Sequence, residues 1–261
     1  MGMGHSIRRH AGRVAWVRAF LTLVAALAFA LGSVWGLRAQ YASPYELTLG
    51  GGLAVGGVGA AAGGLGQYFS GRMAPLTAAE VAVLGRGDVW AFDRLATRKR
   101  NRIALVISDV TGYGATVLPA SLLASGRVRD NAADVGLLYL QALLLNGGLT
   151  QLVKNTARRP RPYTRNPGVS LAQKQVKDAR RSFFSGHTSN AAVNAFLTAR
   201  VYADFYPDRE RRGWVWVSAA VLPAVTGATR VLSGNHYWTD VIVGYVVGAG
   251  IGVLVPQLYR L

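Results

Sequence analysis

The 261-residue chain has no cysteine and few acidic residues. The lack of cysteine excludes disulfide bonds and thiolate metal sites. The chain has 12 Asp and Glu and 29 Lys and Arg, which gives a formal net charge of +17. No basic stretch is interleaved with aromatic residues as a nucleic-acid platform would be. The positive charge therefore indicates basic residues at the flanks of membrane spans and partners that carry phosphate, rather than a nucleic-acid partner.

Long apolar runs are what the sequence has in abundance, and 51% of its residues are hydrophobic. Runs of about 17–23 residues are long enough to cross a bilayer as helices. We therefore predict an integral membrane protein with an all-α fold. The predicted core helices cover residues 47–69, 103–125, 133–153, 187–206, 214–228 and 241–258.

Two parts of the chain are predicted. Residues 1–40 form a basic tail with one further apolar run, 19–37, which is either a retained anchor or a cleaved signal peptide. Residues 41–261 form a single membrane domain, a six-helix bundle in which glycine stripes predict close helix packing. Its most polar helix carries Arg200 and Asp204, which can pair on one face, so this helix should face the bundle interior.

Three polar stretches, far apart in the sequence, hold the candidate site. Each lies at a predicted helix end, on one side of the membrane if every span crosses it. Taken singly, each is also typical of an ordinary feature: a basic juxtamembrane cluster, a Ser-Gly turn, or a His–Asp pair at a helix start. Together they supply the cations, nucleophile and acid that a phosphate site requires. The candidates are Lys154, Arg161, Ser185, Gly186, His187, Arg230, His236 and Asp240.

The residue types indicate how a phosphate group would be held. Gly186 permits close backbone approach, and Ser185 caps a helix whose N-terminus would attract an anion. Arg230 has a planar guanidinium group that can donate two hydrogen bonds to phosphate oxygens. His236 and Asp240 are four residues apart, so the carboxylate could hold the imidazole in one tautomer.

The three stretches resemble the motifs of the PAP2 superfamily, which includes lipid phosphate phosphatases and is related to vanadate haloperoxidases. The first motif is Lys, six residues, Arg-Pro, which Lys154 and Arg161 match. The second is Pro-Ser-Gly-His, where Phe184 replaces the proline. The third is Ser-Arg, five residues, His, three residues, Asp, where Thr229 replaces the serine. The resemblance covers about residues 133–255.

The resemblance implies a metal-independent membrane phosphatase without a cofactor, acting on a lipid phosphate or an isoprenoid (pyro)phosphate. It implies that His236 is the nucleophile and forms a phosphohistidine, that Asp240 orients it, and that His187 protonates the leaving oxygen. The phosphate-binding groups would be Lys154, Arg161, Ser185, Gly186 and Arg230.

Three other functions stay open. A lipid phosphotransferase would use an alcohol in place of water, a vanadate-dependent haloperoxidase would hold vanadate in the same pocket, and a non-catalytic protein would only bind anionic lipid. The spans argue against the second, and the two histidines with Asp240 argue against the third. We predict that the protein lies in a bacterial inner membrane. The side that the site faces, the oligomeric state and the role of Asp109, inside an apolar span, are left open.

Overall fold

The computed structural model describes residues 41–210 and 212–261, so the apolar run 19–37 lies outside the described residues. Over those two ranges the regular structure is helical, apart from one isolated bridge between Tyr45 and Arg260. The predicted all-α fold is confirmed.

Six long helices form the bundle, and each matches a predicted helix to within about one turn. They are α1 (Leu49–Gly71), α2 (Arg102–Gly114, continued by a 3₁₀ helix over Ala115–Ala124), α3 (Ala132–Ala157), α4 (Gly186–Phe205), α5 (Arg212–Leu232) and α6 (Trp238–Gln257). Short helices in the connections cover Ala78–Val83, Ala91–Arg94, Leu95–Arg98, Gly126–Asp130, Pro162–Arg165, Leu171–Lys174 and Lys177–Arg180.

Five of these helices, all but α4, are long and apolar enough to cross a membrane. Large apolar side chains on their outer faces, such as Leu53, Val110 and Val246, are exposed. An apolar outer face is costly in water but suits contact with lipid. The chain is therefore an integral membrane protein.

Helix α4 is more polar, and it lies inside the bundle, in contact with α2, α3, α5 and α6. Its predicted ion pair is confirmed, since Arg200 Nε lies 2.7 Å from Asp204 Oδ2. The hydroxyl of Tyr45 also donates to Asp204, at 2.9 Å. Because these polar groups are paired within the protein, α4 does not expose them to lipid.

Glycines bring the helices into close contact. A Cβ atom on Gly248 of α6 would lie 2.2 Å from the carbonyl oxygen of Ser189 in α4. A Cβ atom on Gly59 of α1 would lie 2.6 Å from the backbone of Leu144 in α3. Gly56 has nothing within 4 Å, so the α1 stripe contacts its neighbour at only some of its glycines.

Candidate active site

The three polar stretches meet at one end of the bundle, around His236 in the short turn between α5 and α6. Arg161 Nη1 lies 3.2 Å from His236 Nε2, and Asp240 Oδ2 lies 3.4 Å from His236 Nδ1. The imidazole is 1% exposed. Burial, and next the positive charges of Arg161, Lys154 and Arg230, lower the pKa of His236 well below its usual value. The ring is therefore neutral near pH 7 and surrounded by cations.

The neighbours of His236 favour one tautomer of its ring. Nε2 faces the guanidinium of Arg161, which can only donate, so Nε2 is the acceptor and carries a free electron pair. Nδ1 then bears the hydrogen and faces Asp240, although this contact lacks hydrogen-bond geometry. Of the two ring nitrogens, Nε2 is thus the more nucleophilic, and it lies on the side of the cations.

Arg161 reaches His236 from outside the long helices. Helix α3 ends at Ala157, and Arg158 has a left-handed backbone with φ 48°. Arg161 therefore lies in the extended segment beyond the helix. Its Nε donates to the carbonyl oxygen of Asp178 at 2.9 Å, and its Nη2 lies 2.9 Å from the carboxylate of the same residue.

Lys154 lies at the C-terminal end of α3, directly over the start of α4. Its Nζ donates to the carbonyl oxygen of Arg181 at 2.9 Å, and its Cε would lie 3.4 Å from a Cβ atom on Gly186. Ser185 is the N-cap of α4, and its hydroxyl accepts from the Thr188 N–H at 3.4 Å. An anion held by the free N–H groups of α4 would therefore lie beside the Lys154 ammonium group.

Arg230 and His187 share one carboxylate. Arg230 Nη1 donates to Asp109 Oδ1 at 2.8 Å and to Ser108 Oγ at 3.2 Å. His187 Nε2 lies 3.1 Å from the same Asp109 Oδ1, and its ring packs edge-on against Tyr113 with centroids 4.7 Å apart. The sequence left the role of Asp109 open, and in the structure it pairs with Arg230.

Asp240 is held by groups that the sequence reasoning missed. Its Oδ1 accepts from Arg159 Nη1 at 2.5 Å, and its Oδ2 accepts from Ser182 Oγ at 2.5 Å and from the Tyr237 N–H at 2.9 Å. Arg159 also pairs with Asp93, from the connection between α1 and α2. Arg159 lies in a basic cluster that carries no local signal of this contact. Asp109, by contrast, was detectable as an acid inside an apolar run.

The two departures from the family motifs do not alter the polar groups of the site. Phe184 is a buried apolar side chain in the turn before Ser185. The hydroxyl of Thr229 donates to the carbonyl oxygens of Val225 and Thr226 in its own helix, at 2.8 and 2.9 Å. A serine at this position would have the same acceptors within reach.

The donor set around His236 suits an anion. Its nearest charged neighbours include Arg161, Lys154 and Arg230, which are donors only and cannot ligate a metal ion. Across residues 41–210 and 212–261, no group of three or more His, Cys, Asp or Glu is placed to hold a metal. The arrangement can bind a phosphate group and present a nucleophile to it.

Part of the chain is similar to a known family and to known proteins. Residues 135–261, which include every predicted site residue, match the model of the PAP2 superfamily. Phospholipid phosphatase 1 of Rattus norvegicus is 32% identical over 88 residues, covering 32% of this chain and 30% of that protein. Lipid phosphate phosphatase 2 of Arabidopsis thaliana is 29% identical over 137 residues, covering 44% and 47%. The chain thus spans less than half the length of these relatives.

A solved structure is also similar. It is described as the first transmembrane PAP2 type phosphatidylglycerolphosphate phosphatase from Bacillus subtilis, and it is 25% identical. The alignment covers 64% of this chain and 82% of that chain, with a TM-score of 0.49. By the family match and the three motifs, residues 135–261 of this integral membrane protein are similar to the PAP2 superfamily.

Proposed function

We propose that the protein is a metal-independent membrane phosphatase that hydrolyses a lipid phosphate or an isoprenoid (pyro)phosphate through a phosphohistidine at His236. The observation that carries the proposal is the buried His236 ring, whose Nε2 lies 3.2 Å from Arg161 within a cluster of cations. A histidine that only attracted an anionic head group would serve best when protonated and accessible. A neutral ring with a free electron pair beside an anion site is suited to attack phosphorus.

In the first step, Nε2 of His236 attacks phosphorus and the bond between phosphorus and the leaving oxygen breaks. His187 gives a proton to that oxygen, so that an alcohol or a phosphate leaves. Lys154, Arg161 and Arg230 bind the other oxygens of the transferring group. Because their charges are fixed before the reaction, they stabilise the charge that develops in the transition state.

In the second step, the now neutral His187 accepts a proton from water. The water oxygen attacks phosphorus, the bond to Nε2 of His236 breaks, and inorganic phosphate is released. Asp240 faces Nδ1, and its negative charge offsets the positive charge of the phosphorylated ring. The hydroxyl of Ser185 and the N–H of Gly186 are the remaining donors, at the N-terminus of α4.

The position of the site supports a lipid substrate. The cations lie at one end of a bundle whose outer faces are apolar, so a phosphate head group in the site leaves its tail beside those faces. The relatives named as phosphatases of phospholipids and lipid phosphates support the same class. We further propose that residues 41–261 act as one membrane domain, in a bacterial inner membrane.

The test is phosphate release by detergent-purified protein, in the presence of a chelator, over phosphatidate, phosphatidylglycerophosphate and an isoprenoid pyrophosphate. We expect release from at least one of them, insensitive to chelator and abolished in His236→Ala. Undiminished release by His236→Ala would refute the nucleophile assignment. Transfer of phosphate to added glycerol would favour the phosphotransferase, and bromide oxidation with added vanadate would favour the haloperoxidase.

A further inference from the structure

We propose that Asp109 is a positioning residue that stabilises the protonated form of His187 beside Arg230, so that His187 can protonate the leaving group. The proposal rests on the proposed function, because it assigns part of its first step. It concerns a residue of α2, outside all three family motifs and outside the segment that matches the family model.

One carboxylate oxygen lies between the two cationic groups. Asp109 Oδ1 is 2.8 Å from Arg230 Nη1 and 3.1 Å from His187 Nε2. The Asp109 side chain is 43% exposed, whereas that of Arg230 is 5% exposed. The carboxylate is therefore more accessible than the guanidinium with which it pairs.

Burial and charge explain why His187 needs such a partner. Burial first, and then the positive charges of Arg230, Arg161 and Lys154, lower the pKa of His187 and oppose its protonation. A general acid must nevertheless carry a proton when the bond to the leaving oxygen breaks. A carboxylate within about 4 Å favours the charged imidazole, and a bound phosphate would offset the remaining cations.

Helix α2 also fixes the position of the ring. A Cβ atom on Gly112 would lie 2.9 Å from His187 Cδ2, so the imidazole fills the space that a side chain would need. Tyr113 packs against its edge. His187 Nε2 lies within ion-pair distance of Asp109 but without hydrogen-bond geometry, so the carboxylate acts on the protonated ring through its charge. The other ring nitrogen then carries the proton that goes to the leaving oxygen.

Leaving-group chemistry tests this role. An alcohol leaves poorly unless it is protonated, whereas p-nitrophenolate leaves without a proton. In Asp109→Asn we expect kcat on a lipid phosphate monoester to fall by about 10–100-fold, less than the roughly 10²–10⁴-fold of full general acid catalysis, because His187 itself remains. We expect kcat on p-nitrophenyl phosphate to fall by less than about threefold. His187→Ala should show the same selectivity in the first release of leaving group, whereas its steady-state kcat should fall on both substrates, because His187 also acts in the second step.

The matched control is Asp208→Asn, in the exposed turn after α4, which should leave both rates unchanged. If Asp109→Asn does not give folded protein, Asp109→Ser should show the same ratio of losses. Equal losses on the two substrates would overturn the proposal, because a structural or phosphate-binding role predicts them. Unchanged rates with tighter inhibition by vanadate would also overturn it, since Asp109 would then only compete for Arg230. If the wild-type protein hydrolyses neither substrate, the proposed function fails, and this proposal fails with it.

Discussion

Arg159 and Asp240 form an ion pair, with 2.5 Å between Nη1 and Oδ1, inside the protein. The same guanidinium binds the buried carboxylate of Asp93 through Nη2, at 2.8 Å. Its Cζ atom lies 4.1 Å from the centroid of the Tyr237 ring, close enough for a cation–π contact. Arg159 therefore fixes the carboxylate that faces Nδ1 of His236, from a position that the family motif leaves unspecified.

Arg159→Gln should lower both stability and turnover. Two buried carboxylates, Asp93 and Asp240, would lose their shared partner, and breaking a buried ion pair costs about 3–5 kcal/mol. The loss of an orienting partner should lower kcat by about 10–100-fold. KM should change little, since Arg159 does not contact the substrate in the proposed mechanism. Thermal unfolding in detergent and steady-state kinetics measure the two effects.

The neighbouring Arg158→Gln is the control, because Arg158 Nε donates only to a backbone oxygen, that of Asn155, at 3.2 Å. Asp93→Asn should reproduce part of the stability loss with a smaller effect on kcat. If Arg159→Gln is destabilised but keeps the wild-type kcat, Arg159 has a structural role alone.

Arg230→Lys should lower kcat/KM by about tenfold or more, although it keeps the charge. The ammonium group of a lysine is a point charge. It cannot contact Asp109, Ser108 and a phosphate group at once, as the planar guanidinium group of Arg230 can. Arg94→Lys is the control, since Arg94 donates to the carbonyl oxygen of Val89 outside the site. Wild-type kinetics in Arg230→Lys would remove Arg230 from the phosphate site.

Gly248→Ala should destabilise the bundle by about 1–3 kcal/mol, the usual cost of overpacking. The new Cβ atom would lie 2.2 Å from the carbonyl oxygen of Ser189 and would force α6 away from α4. Gly250, in the same helix, has nothing within 4 Å. Gly250→Ala should therefore be neutral or slightly stabilising, because alanine is the better helix former. Equal shifts of the two unfolding midpoints would contradict this account of the glycine stripe.

The neutral state of His236 should appear in the pH dependence of stability. Burial first, and then Arg161, hold the pKa of His236 in the folded protein well below its usual value. As the pH falls below about 6.5, the unfolded chain binds a proton there that the folded protein does not. Stability should therefore fall, by up to about 1.4 kcal/mol per pH unit for this one group. Between pH of about 7.5 and 5, the unfolding midpoint of His236→Gln should fall less than that of the wild type. If the unfolding midpoints of the two proteins fell equally with pH, folding would not lower the pKa of His236.

The helices could be predicted from the sequence because span length and apolar composition are local properties. Helix α3 shows the limit of this reasoning. Its predicted end at residue 153 followed the onset of polar residues, yet the helix continues to Ala157. Asn155 is fully buried and donates to the carbonyl oxygen of Gly66 in α1, at 2.9 Å. A polar side chain that is paired with another helix extends the span, and the pairing is not visible in the local sequence.

The residues of the site also differ in whether the local sequence could predict them. The three motifs could be recognised because each is a short local pattern. Asp93, Asp109 and Arg159 depend on partners from other segments, which only the folded chain brings together. Asp109 stood out as a lone acid in an apolar run, but nothing in its neighbourhood indicated that Arg230 and His187 would lie on either side of it.

The most direct measurement is to trap the phosphorylated protein. His187→Ala would be incubated with p-nitrophenyl phosphate that carries a radiolabelled phosphate group, because this leaving group needs no proton. The protein would then be quenched in alkali, digested and mapped. We expect an alkali-stable, acid-labile label on the peptide that contains His236, and no label when His236→Ala is added to the same variant. A label on another residue, or turnover by the wild type with no labelled histidine under any quench condition, would contradict the central claim.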